Sequence, residues 1–265
     1  ALRCFRNSGQ SCNAPTRMLV SSKNYEKAVE VAINTANAMK VGDPFDADTK
    51  MGPISNKTQY EKVQRMIQIG IDEGATLSAG GVGLPEGCEK GYFVKPTIFS
   101  DVTNDMTIAR EEIFGPVLCL IKYETEEEAI EIANDTPYGL AASIWTENIN
   151  LALDMAPKIK AGVIWINSSN MFDAAVGFGG YRESGYGREG GKEGIFEYLK
   201  PKRHNSPKKV NQLKESRKVK TLDQTADSLI DQTRKFYIGG KQVRPDGGYS
   251  SKLIDKNGNK ISKAL

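Results

Sequence analysis

The sequence VLCLIKYETEEEAIEIAN occupies residues 117–134 and passes directly from a strand signal to a helix signal. The short apolar run at residues 117–123 is typical of a buried strand. Thr125, with Glu128 three residues later, forms a capping box that predicts a helix over residues 126–134. This stretch therefore predicts a buried strand that is followed closely by a helix.

The same alternation continues on both sides of this stretch. Apolar residues at intervals of three and four predict helices, and short apolar runs predict strands. The first residues of the chain also look strand-like. Strands separated by helices of this length favour an α/β fold with a helix-covered, mostly parallel sheet. The predicted helices are residues 25–40, 56–74 and 148–160, and the predicted strands are residues 75–79, 92–99, 140–146 and 162–167.

The composition is that of a globular protein. The chain has 265 residues, of which 39% are hydrophobic and 26% are charged. These proportions exclude a chain that is disordered throughout, a coiled coil and a collagen-like rod. No apolar stretch reaches the roughly 18 residues that a transmembrane helix requires, so we expect no membrane segment. Because the chain begins at Ala1 without a signal-peptide pattern, we expect further sequence upstream.

Four cysteines lack both C-x-x-C spacing and the density of a disulfide scaffold: Cys4, Cys12, Cys88 and Cys119. We therefore expect free thiols in a reducing compartment, the cytoplasm or an organelle matrix. His204 is the single histidine and lies in a Lys-rich stretch, which excludes a Ser-His-Asp or Cys-His mechanism in the folded body. The same scarcity predicts no metal site.

The basic charge is concentrated in residues 200–220, which hold nine Lys or Arg against one acidic residue. We interpret residues 201–234 as a basic linker, with a polar helix predicted over about 222–235. Residues 236–243 and 253–261 predict short β-hairpins that turn on Gly-Gly and Asn-Gly. Hairpins this short bury little by themselves, so we expect them to need a partner.

The segment FRNSGQSCNA, residues 5–14, carries the most informative cysteine. Cys12 follows a Gly-Gln turn and is expected at a strand-to-helix transition, where backbone N–H groups lower a thiol pKa and receive an oxyanion. On its own, a cysteine in such a place is more often a small buried hydrophobic residue than a nucleophile. Two further segments change this balance.

Those segments are EEIFGPV at residues 111–117 and FGGYRESGYGRE at residues 178–189. In order and spacing, the three segments resemble the signature motifs of the NAD(P)-dependent aldehyde dehydrogenase superfamily. The resemblance runs from Ala1 to about Pro201 and corresponds to the C-terminal half of a family subunit. It implies that residues 1–200 form an α/β aldehyde dehydrogenase catalytic domain that is incomplete at its start.

The resemblance implies a role for each matching residue. Cys12 is the thiol that attacks the aldehyde, after which hydride leaves to NAD or NADP and water hydrolyses the resulting thioester. Glu112 holds the nicotinamide ribose, since a carboxylate accepts hydrogen bonds from two hydroxyls, and Phe114 flanks the nicotinamide ring. Gln59 and Lys62 contact the adenosine-side ribose. Without the resemblance, Glu112 reads as a solvated helix-end residue, and Gln59 and Lys62 read as exposed helix positions.

Phe172 and Phe178 match aromatic residues that line the substrate tunnel of the family, although both also fit ordinary core packing. The implied substrate is a small-molecule aldehyde. The general-base Glu, the dinucleotide-phosphate loop and the oxyanion Asn of the family are expected upstream of residue 1. We therefore expect these 265 residues alone to be inactive, and we expect a homo-oligomer or upstream dehydrogenase sequence to complete the molecule.

The remaining sequence is less regular. Residues 177–191 contain seven glycines, a density that suits a backbone folded tightly around something. Residues 235–265 resemble the opening hairpins of a second aldehyde dehydrogenase unit. The chain therefore looks like the junction between the two units of a tandem protein.

Two other functions fit parts of the sequence. One is a catalytically inactive, dehydrogenase-like interaction protein whose basic segment binds phosphates. Nucleic acid is not the expected partner, because that segment lacks interleaved aromatic residues. The other is a Cys-dependent acyl hydrolase, since the same thiol attacks esters without a cofactor. Cofactor dependence separates the hydrolase from the dehydrogenase.

Overall fold

The computed structural model describes residues 1–200 and four strands in the C-terminal region. The chain forms two compact units, Ala1–Asn205 and Ser206–Leu265. The first unit contains every residue of the predicted site. The predicted linker, residues 201–234, lies outside the described residues.

The first unit alternates strands and helices in the predicted manner. Among the described residues, no helix combines the length and the apolar character needed to cross a membrane. The strands are β1 (Arg17–Ser21), β2 (Thr76–Ala79), β3 (Thr97–Ser100), β4 (Val117–Tyr123), β5 (Ala141–Ile144) and β6 (Val163–Ile166). The helices are α1 (Leu2–Phe5), α2 (Tyr25–Asn37), α3 (Lys57–Asp72), α4 (Thr107–Arg110), α5 (Glu126–Asn134), α6 (Ile149–Met155) and α7 (Gly191–Phe196). Short 3₁₀-helices cover Arg6–Gly9, Ser22–Asn24, Ala156–Lys158 and Arg182–Ser184.

The second unit contributes two antiparallel strand pairs. β7 (Phe236–Ile238) pairs with β8 (Lys241–Val243). β9 (Ser251–Ile254) pairs with β10 (Lys260–Ala264), with an irregularity in register near Lys260. The turns predicted at Gly-Gly and Asn-Gly lie outside the described residues.

Four strands form the main sheet in the order β1, β4, β3, β2. β4 pairs in parallel with both neighbours, with Met18 opposite Leu120 and Ile98 opposite Leu118. β2 joins the edge antiparallel to β3. β5 and β6 form a separate parallel pair. The predicted mostly parallel α/β arrangement is confirmed.

The central strand β4 contributes to two hydrophobic cores. Val117, Cys119 and Ile121 pack with residues of α3 on one face of the sheet. Leu118 and Leu120 pack with residues of α1 and α2 on the other face. Because side chains alternate along a strand, a run of consecutive apolar residues requires cover on both faces. Burial of each such side chain stabilises the fold by about 1.5–3 kcal/mol.

The helix caps that the sequence predicts are present in the structure, with one difference. The Thr125 side chain accepts a hydrogen bond from the backbone N–H of Glu128 at 3.2 Å. The Glu128 carboxylate, however, accepts from the N–H of Glu124 at 2.7 Å, one residue before the cap. Asn56 caps α3 by accepting from the N–H of Gln59 at 2.9 Å. These contacts satisfy backbone donors that have no partner inside a helix.

Three predicted elements differ from the structure. The strand-like start of the chain is helix α1, because the Cys4 N–H donates back to the Ala1 carbonyl at 2.9 Å, a local bond in place of a strand pairing. The strand predicted at residues 92–99 begins only at Thr97, directly after Pro96, which cannot donate to a ladder. The helix predicted at residues 148–160 ends its α-helical part at Met155 and continues as a 3₁₀ turn that contains Pro157.

Two cysteines are fully enclosed by these cores. The Cys4 thiol donates to the carbonyl of Val117 at 3.4 Å, and the Cys119 thiol donates to the carbonyl of Ile108 at 3.5 Å. Burial raises the pKa of the Cys4 thiol to about 12 and also raises the pKa of Cys119. Both groups therefore stay protonated in the folded protein at a pH where unfolded cysteines ionise.

We expect the free energy of unfolding to fall as the pH rises above about 9, because only the unfolded state then loses these protons. Each buried thiol contributes a slope of up to about 1.4 kcal/mol per pH unit. The Cys4→Ser variant keeps a donor for the Val117 carbonyl but does not titrate in this range. Urea unfolding between pH 7 and 10 should give a shallower decline for this variant, and parallel curves for the two proteins would contradict the assignment.

Candidate active site

The backbone before Cys12 adopts an unusual conformation. Asn7, Ser8 and Gly9 have φ values of 50°, 56° and 71°, three left-handed residues in succession. Such values are uncommon outside glycine and persist only where surrounding contacts enforce them. Here the Ser8 hydroxyl is buried and donates to the carbonyl of Gly52 at 2.8 Å, and the Asn7 amide donates to the carbonyl of Gln10 at 2.9 Å. We call residues 7–14 the Cys12 loop.

Gly9 places this loop against a second predicted motif. A Cβ atom on Gly9 would lie 2.1 Å from the carbonyl oxygen of Gly115. The contact therefore excludes every side chain at Gly9, and it joins two backbone segments that are more than a hundred residues apart. A Cβ atom on Gly115 would in turn lie 2.6 Å from Val63 of α3. We call residues 111–116 the Glu112 segment.

Cys12 lies in a turn between the 3₁₀-helix Arg6–Gly9 and β1. The predicted strand-to-helix transition is therefore wrong: the left-handed residues end a helix, and a strand follows. Cys12 is the exposed member of the four free cysteines, whereas the other three are buried. Its interpretation as a small buried hydrophobic residue is also wrong.

The two segments meet at the amino ends of neighbouring strands. The Cys12 loop leads into β1 and the Glu112 segment leads into β4, and these strands are parallel and paired, with Arg17 opposite Cys119. Ligands of open α/β sheets usually bind beyond the carboxyl ends of the strands. The candidate site of this chain therefore lies at the opposite end of the strands, where β1 and β4 begin.

Gln59 and Lys62 of α3 hold the Glu112 segment in place. The Gln59 amide donates to the carbonyls of Ile113 and Phe114, both at 2.9 Å. Lys62 Nζ donates to the backbone carbonyl of Glu112 at 2.6 Å. Both side chains are half-buried rather than free helix positions. In the structure they bind protein backbone, and their predicted contact with a ribose stays a prediction.

The Glu112 carboxylate is exposed, and among the described residues it forms no hydrogen bond or ion pair. Its backbone, by contrast, is fixed by Lys62. Burial raises the pKa of the nearby Tyr138, and a hydrogen bond from the Glu112 backbone opposes this shift. Phe114, two residues later, is half-buried and has a φ of 56°, which is strained for an aromatic residue. A free carboxylate on an anchored backbone is suited to accept hydrogen bonds from the hydroxyls of a cofactor ribose.

Phe172 and Phe178 lie together with Trp165 in one aromatic cluster. The ring centroids of Phe172 and Phe178 are 4.9 Å apart in an edge-on arrangement, and those of Trp165 and Phe172 are 5.8 Å apart. Phe172 is 57% exposed, so its ring presents an apolar surface as well as packing in the cluster. Sequence reasoning missed Trp165; the available signal was a large aromatic residue in the strand just before the predicted substrate segment.

The glycine-rich stretch 177–191 packs mainly against protein backbone. A Cβ atom on Gly162, the residue before β6, would lie 1.7 Å from the carbonyl oxygen of Gly179. Phe178 exchanges two backbone hydrogen bonds with Glu189, at 2.7 and 2.8 Å. The stretch thus folds on itself and on β6, and this packing places Phe178 beside Trp165. Across the described residues, no group of three His, Cys, Asp or Glu side chains is arranged to hold a metal ion.

A sequence model described as the aldehyde dehydrogenase family matches residues 1–204. The chain therefore belongs to the aldehyde dehydrogenase family. Its relatives include 3-succinoylsemialdehyde-pyridine dehydrogenase from a Pseudomonas species, which is 47% identical over 196 residues, 74% of this chain and 41% of that protein. Retinal dehydrogenase 2 from Homo sapiens is 45% identical over 198 residues, 75% of this chain and 38% of that protein.

Solved structures show the same relationship. Aldehyde dehydrogenase C from Pseudomonas syringae, in a complex with NAD⁺ and octanal, has a TM-score of 0.73 and 48% identity, covering 75% of this chain and 41% of that chain. The aldehyde dehydrogenase of Mycobacterium tuberculosis, in a complex with NAD⁺, has a TM-score of 0.73 and 44% identity, with the same two coverages. This chain thus spans about two fifths of the length of the proteins it matches.

We expect Gly9→Ala to destabilise the fold by roughly 3 kcal/mol, because its methyl group meets the Gly115 carbonyl in a backbone conformation that already disfavours alanine. Gly74→Ala is the matched control: Gly74 has a φ of 90°, but its Cβ would point into open space. That variant should lose only about 1–2 kcal/mol, the cost of the conformation itself. Urea unfolding measures both losses, and equal losses would contradict the importance of the Gly9 contact.

We expect one thiol of the native protein to react rapidly with Ellman's reagent, because Cys12 alone among the four cysteines is exposed. The other three should react only on unfolding. Cys12→Ser should abolish the rapid phase, and Cys88→Ser should retain it. A rapid phase that survives in Cys12→Ser would place the accessible thiol elsewhere.

Proposed function

We propose that this chain supplies the nucleophile and the cofactor-ribose carboxylate of an aldehyde dehydrogenase that oxidises an aldehyde to a carboxylate with NAD or NADP. The backbone contact between Gly9 and Gly115 carries this proposal. It brings the loop of the exposed thiol and the segment of the unengaged carboxylate together at one edge of the sheet. Membership of the aldehyde dehydrogenase family supports the same reaction.

Cys12 acts as the nucleophile. Its sulfur forms a bond to the carbonyl carbon of the aldehyde, which gives a thiohemiacetal on the protein. A bound NAD or NADP would supply the acceptor for the hydride that leaves that carbon. The acyl group then remains on the Cys12 sulfur as a thioester, and water releases the carboxylate and restores the thiol. Exposure of the Cys12 turn gives the aldehyde access to the sulfur.

Glu112 and Phe114 hold the cofactor in this proposal. The Glu112 carboxylate is free to accept hydrogen bonds from both hydroxyls of a ribose, and Lys62 fixes the backbone that carries it. The strained backbone of Phe114 orients its ring, which we assign to the nicotinamide side. Gln59 and Lys62 act from α3 by holding this segment, and they also retain their proposed contact with the adenosine-side ribose. Complexes of two structural neighbours with NAD⁺ support the choice of cofactor.

Phe172 and Phe178 form the apolar entrance for the aldehyde, with Trp165 behind them. Aromatic rings at an entrance exclude water and favour an aldehyde over its hydrate. The exposed ring of Phe172 fits an apolar substituent on the substrate, and the octanal bound to a structural neighbour supports such a substrate.

The rest of the active site lies outside these 265 residues in our proposal. The chain spans about two fifths of its relatives, and we assign the general-base Glu, the oxyanion Asn and the dinucleotide-phosphate loop to upstream polypeptide. Residues 235–265 form the start of a second dehydrogenase unit in a tandem protein, joined by a basic linker at residues 201–234. The protein acts in the cytoplasm, as a homo-oligomer or with the upstream unit completing it.

We expect Glu112→Gln in the full-length protein to lower kcat/KM for NAD or NADP about 10- to 100-fold, because the amide loses a charged acceptor for the ribose hydroxyls. Cys12→Ser should lower aldehyde turnover on the order of 10³-fold or more, since it removes the covalent step. Absorbance of the reduced nicotinamide at saturating aldehyde measures both effects. Glu111→Gln is the matched control, an adjacent exposed carboxylate with no assigned role.

Equal losses in Glu111→Gln and Glu112→Gln would contradict the assigned ribose contact. Full activity of Cys12→Ser would overturn the proposed nucleophile. Hydrolysis of esters without a cofactor, lost in Cys12→Ser and unaccompanied by aldehyde oxidation, would identify the chain instead as part of an acyl hydrolase.

A further inference from the structure

A hydrogen bond between Asn13 and Asn170 connects the Cys12 loop to the loop that carries Phe172. The Asn13 amide donates from Nδ2 to Oδ1 of Asn170 at 2.7 Å, across 157 residues of sequence. Asn13 directly follows Cys12, and Asn170 lies two residues before Phe172. This single hydrogen bond therefore links the residue beside the thiol to the loop that carries the aromatic cluster.

The Cys12 loop is held from the other side by Gln10. The Gln10 side-chain oxygen accepts from the backbone N–H of Ser55 at 2.8 Å, just before α3. Cys12 thus lies between two side-chain hydrogen bonds, one toward the proposed cofactor side and one toward the aromatic cluster. The Ser11 hydroxyl also donates to Asn13 Oδ1 at 3.1 Å, so both polar atoms of the Asn13 amide are engaged.

The loop between β6 and Phe172 presents Asn170 on a constrained backbone. Asn167 and Asn170 have φ values of 50° and 59°, in a region that asparagine tolerates better than most residues. The carbonyl of Met171 accepts a hydrogen bond from the indole of Trp165 at 2.9 Å. Asn170 is therefore tied through its neighbour to the aromatic cluster, and through its own side chain to the Cys12 loop.

We propose that Asn13 and Asn170 are positioning residues that fix the Cys12 thiol relative to the aromatic cluster and thereby set the preference among aldehydes. The inference rests on the proposed function, because it takes aldehyde capture by Cys12 as given. An aldehyde with a long or aromatic substituent contacts the cluster while its carbonyl meets the sulfur. Acetaldehyde carries only a methyl substituent, so it offers the cluster little apolar surface and depends less on this placement. Displacement of reacting groups by about 1 Å is enough to change rates about 100-fold.

A double-mutant cycle on the full-length protein tests this pair. Asn13→Ala and Asn170→Ala should each lower kcat/KM for octanal about 3- to 10-fold relative to acetaldehyde, the range expected for one hydrogen bond. The double variant should lose no more than either single variant, because removing one partner already breaks the bond. Asn170→Asp keeps the acceptor for Asn13 and should restore the wild-type ratio.

Asn24→Ala is the matched control. Asn24 is also an exposed asparagine with one side-chain hydrogen bond, to Ser21, and it has no place in the proposed site. Its substitution should leave the octanal-to-acetaldehyde ratio unchanged. Additive losses in the double variant, or equal losses for the two aldehydes, would overturn the positioning role.

Alkylation of Cys12 separates this inference from the proposed function, because it needs neither cofactor nor turnover. The native protein should react faster with N-benzyl iodoacetamide than with iodoacetamide, since the benzyl group contacts the aromatic cluster. Asn13→Ala and Asn170→Ala should reduce that preference about 3- to 10-fold. A preference that survives in both variants would overturn the inference. Absent aldehyde oxidation together with a preference that falls as expected would overturn only the proposed function.

Discussion

The approach of Gly9 to Gly115 is the contact on which the candidate site depends. At a separation of 2.1 Å from a would-be Cβ to a carbonyl oxygen, no other residue fits at Gly9. The two backbones lie this close because each is held by a contact on its other side. Ser8 is bonded to Gly52 on one side, and Val63 of α3 packs against Gly115 on the other. The proximity of the Cys12 loop and the Glu112 segment therefore follows from glycine at two positions rather than from any attraction between the functional groups.

The sheet explains why those two segments are neighbours at all. β1 and β4 are paired and parallel, and the residues just before each strand begin at the same edge. β4 is buried on both faces, so its starting point is fixed by two hydrophobic cores at once. A strand that is buried on both faces thus begins directly after the Glu112 segment.

Local patterns predicted much of the fold and only part of the site. Helix α5 and its Thr125 cap follow from residues close in sequence. The segment around Cys12 could also be singled out from its own residues, and its catalytic role stays a prediction. What the sequence could not provide is contact between distant segments. Nothing near Gln59 indicates that its amide binds the Glu112 segment, and nothing near Asn13 indicates a partner 157 residues away. The burial of Cys4 and Phe5 at the helical start of the chain likewise depends on residues distant in sequence, such as Leu118.

The separation of one exposed cysteine from three buried ones also determines how this protein responds to peroxide. Oxidants act first on accessible sulfur, and a sulfenic acid at Cys12 is rescued within a chain only by a second reachable thiol. Cys4, Cys88 and Cys119 are enclosed in the folded unit, so none of these three described cysteines forms a disulfide with Cys12 without unfolding. Among the described residues, reduction of an oxidised Cys12 therefore falls to small thiols such as glutathione, which reach the exposed turn.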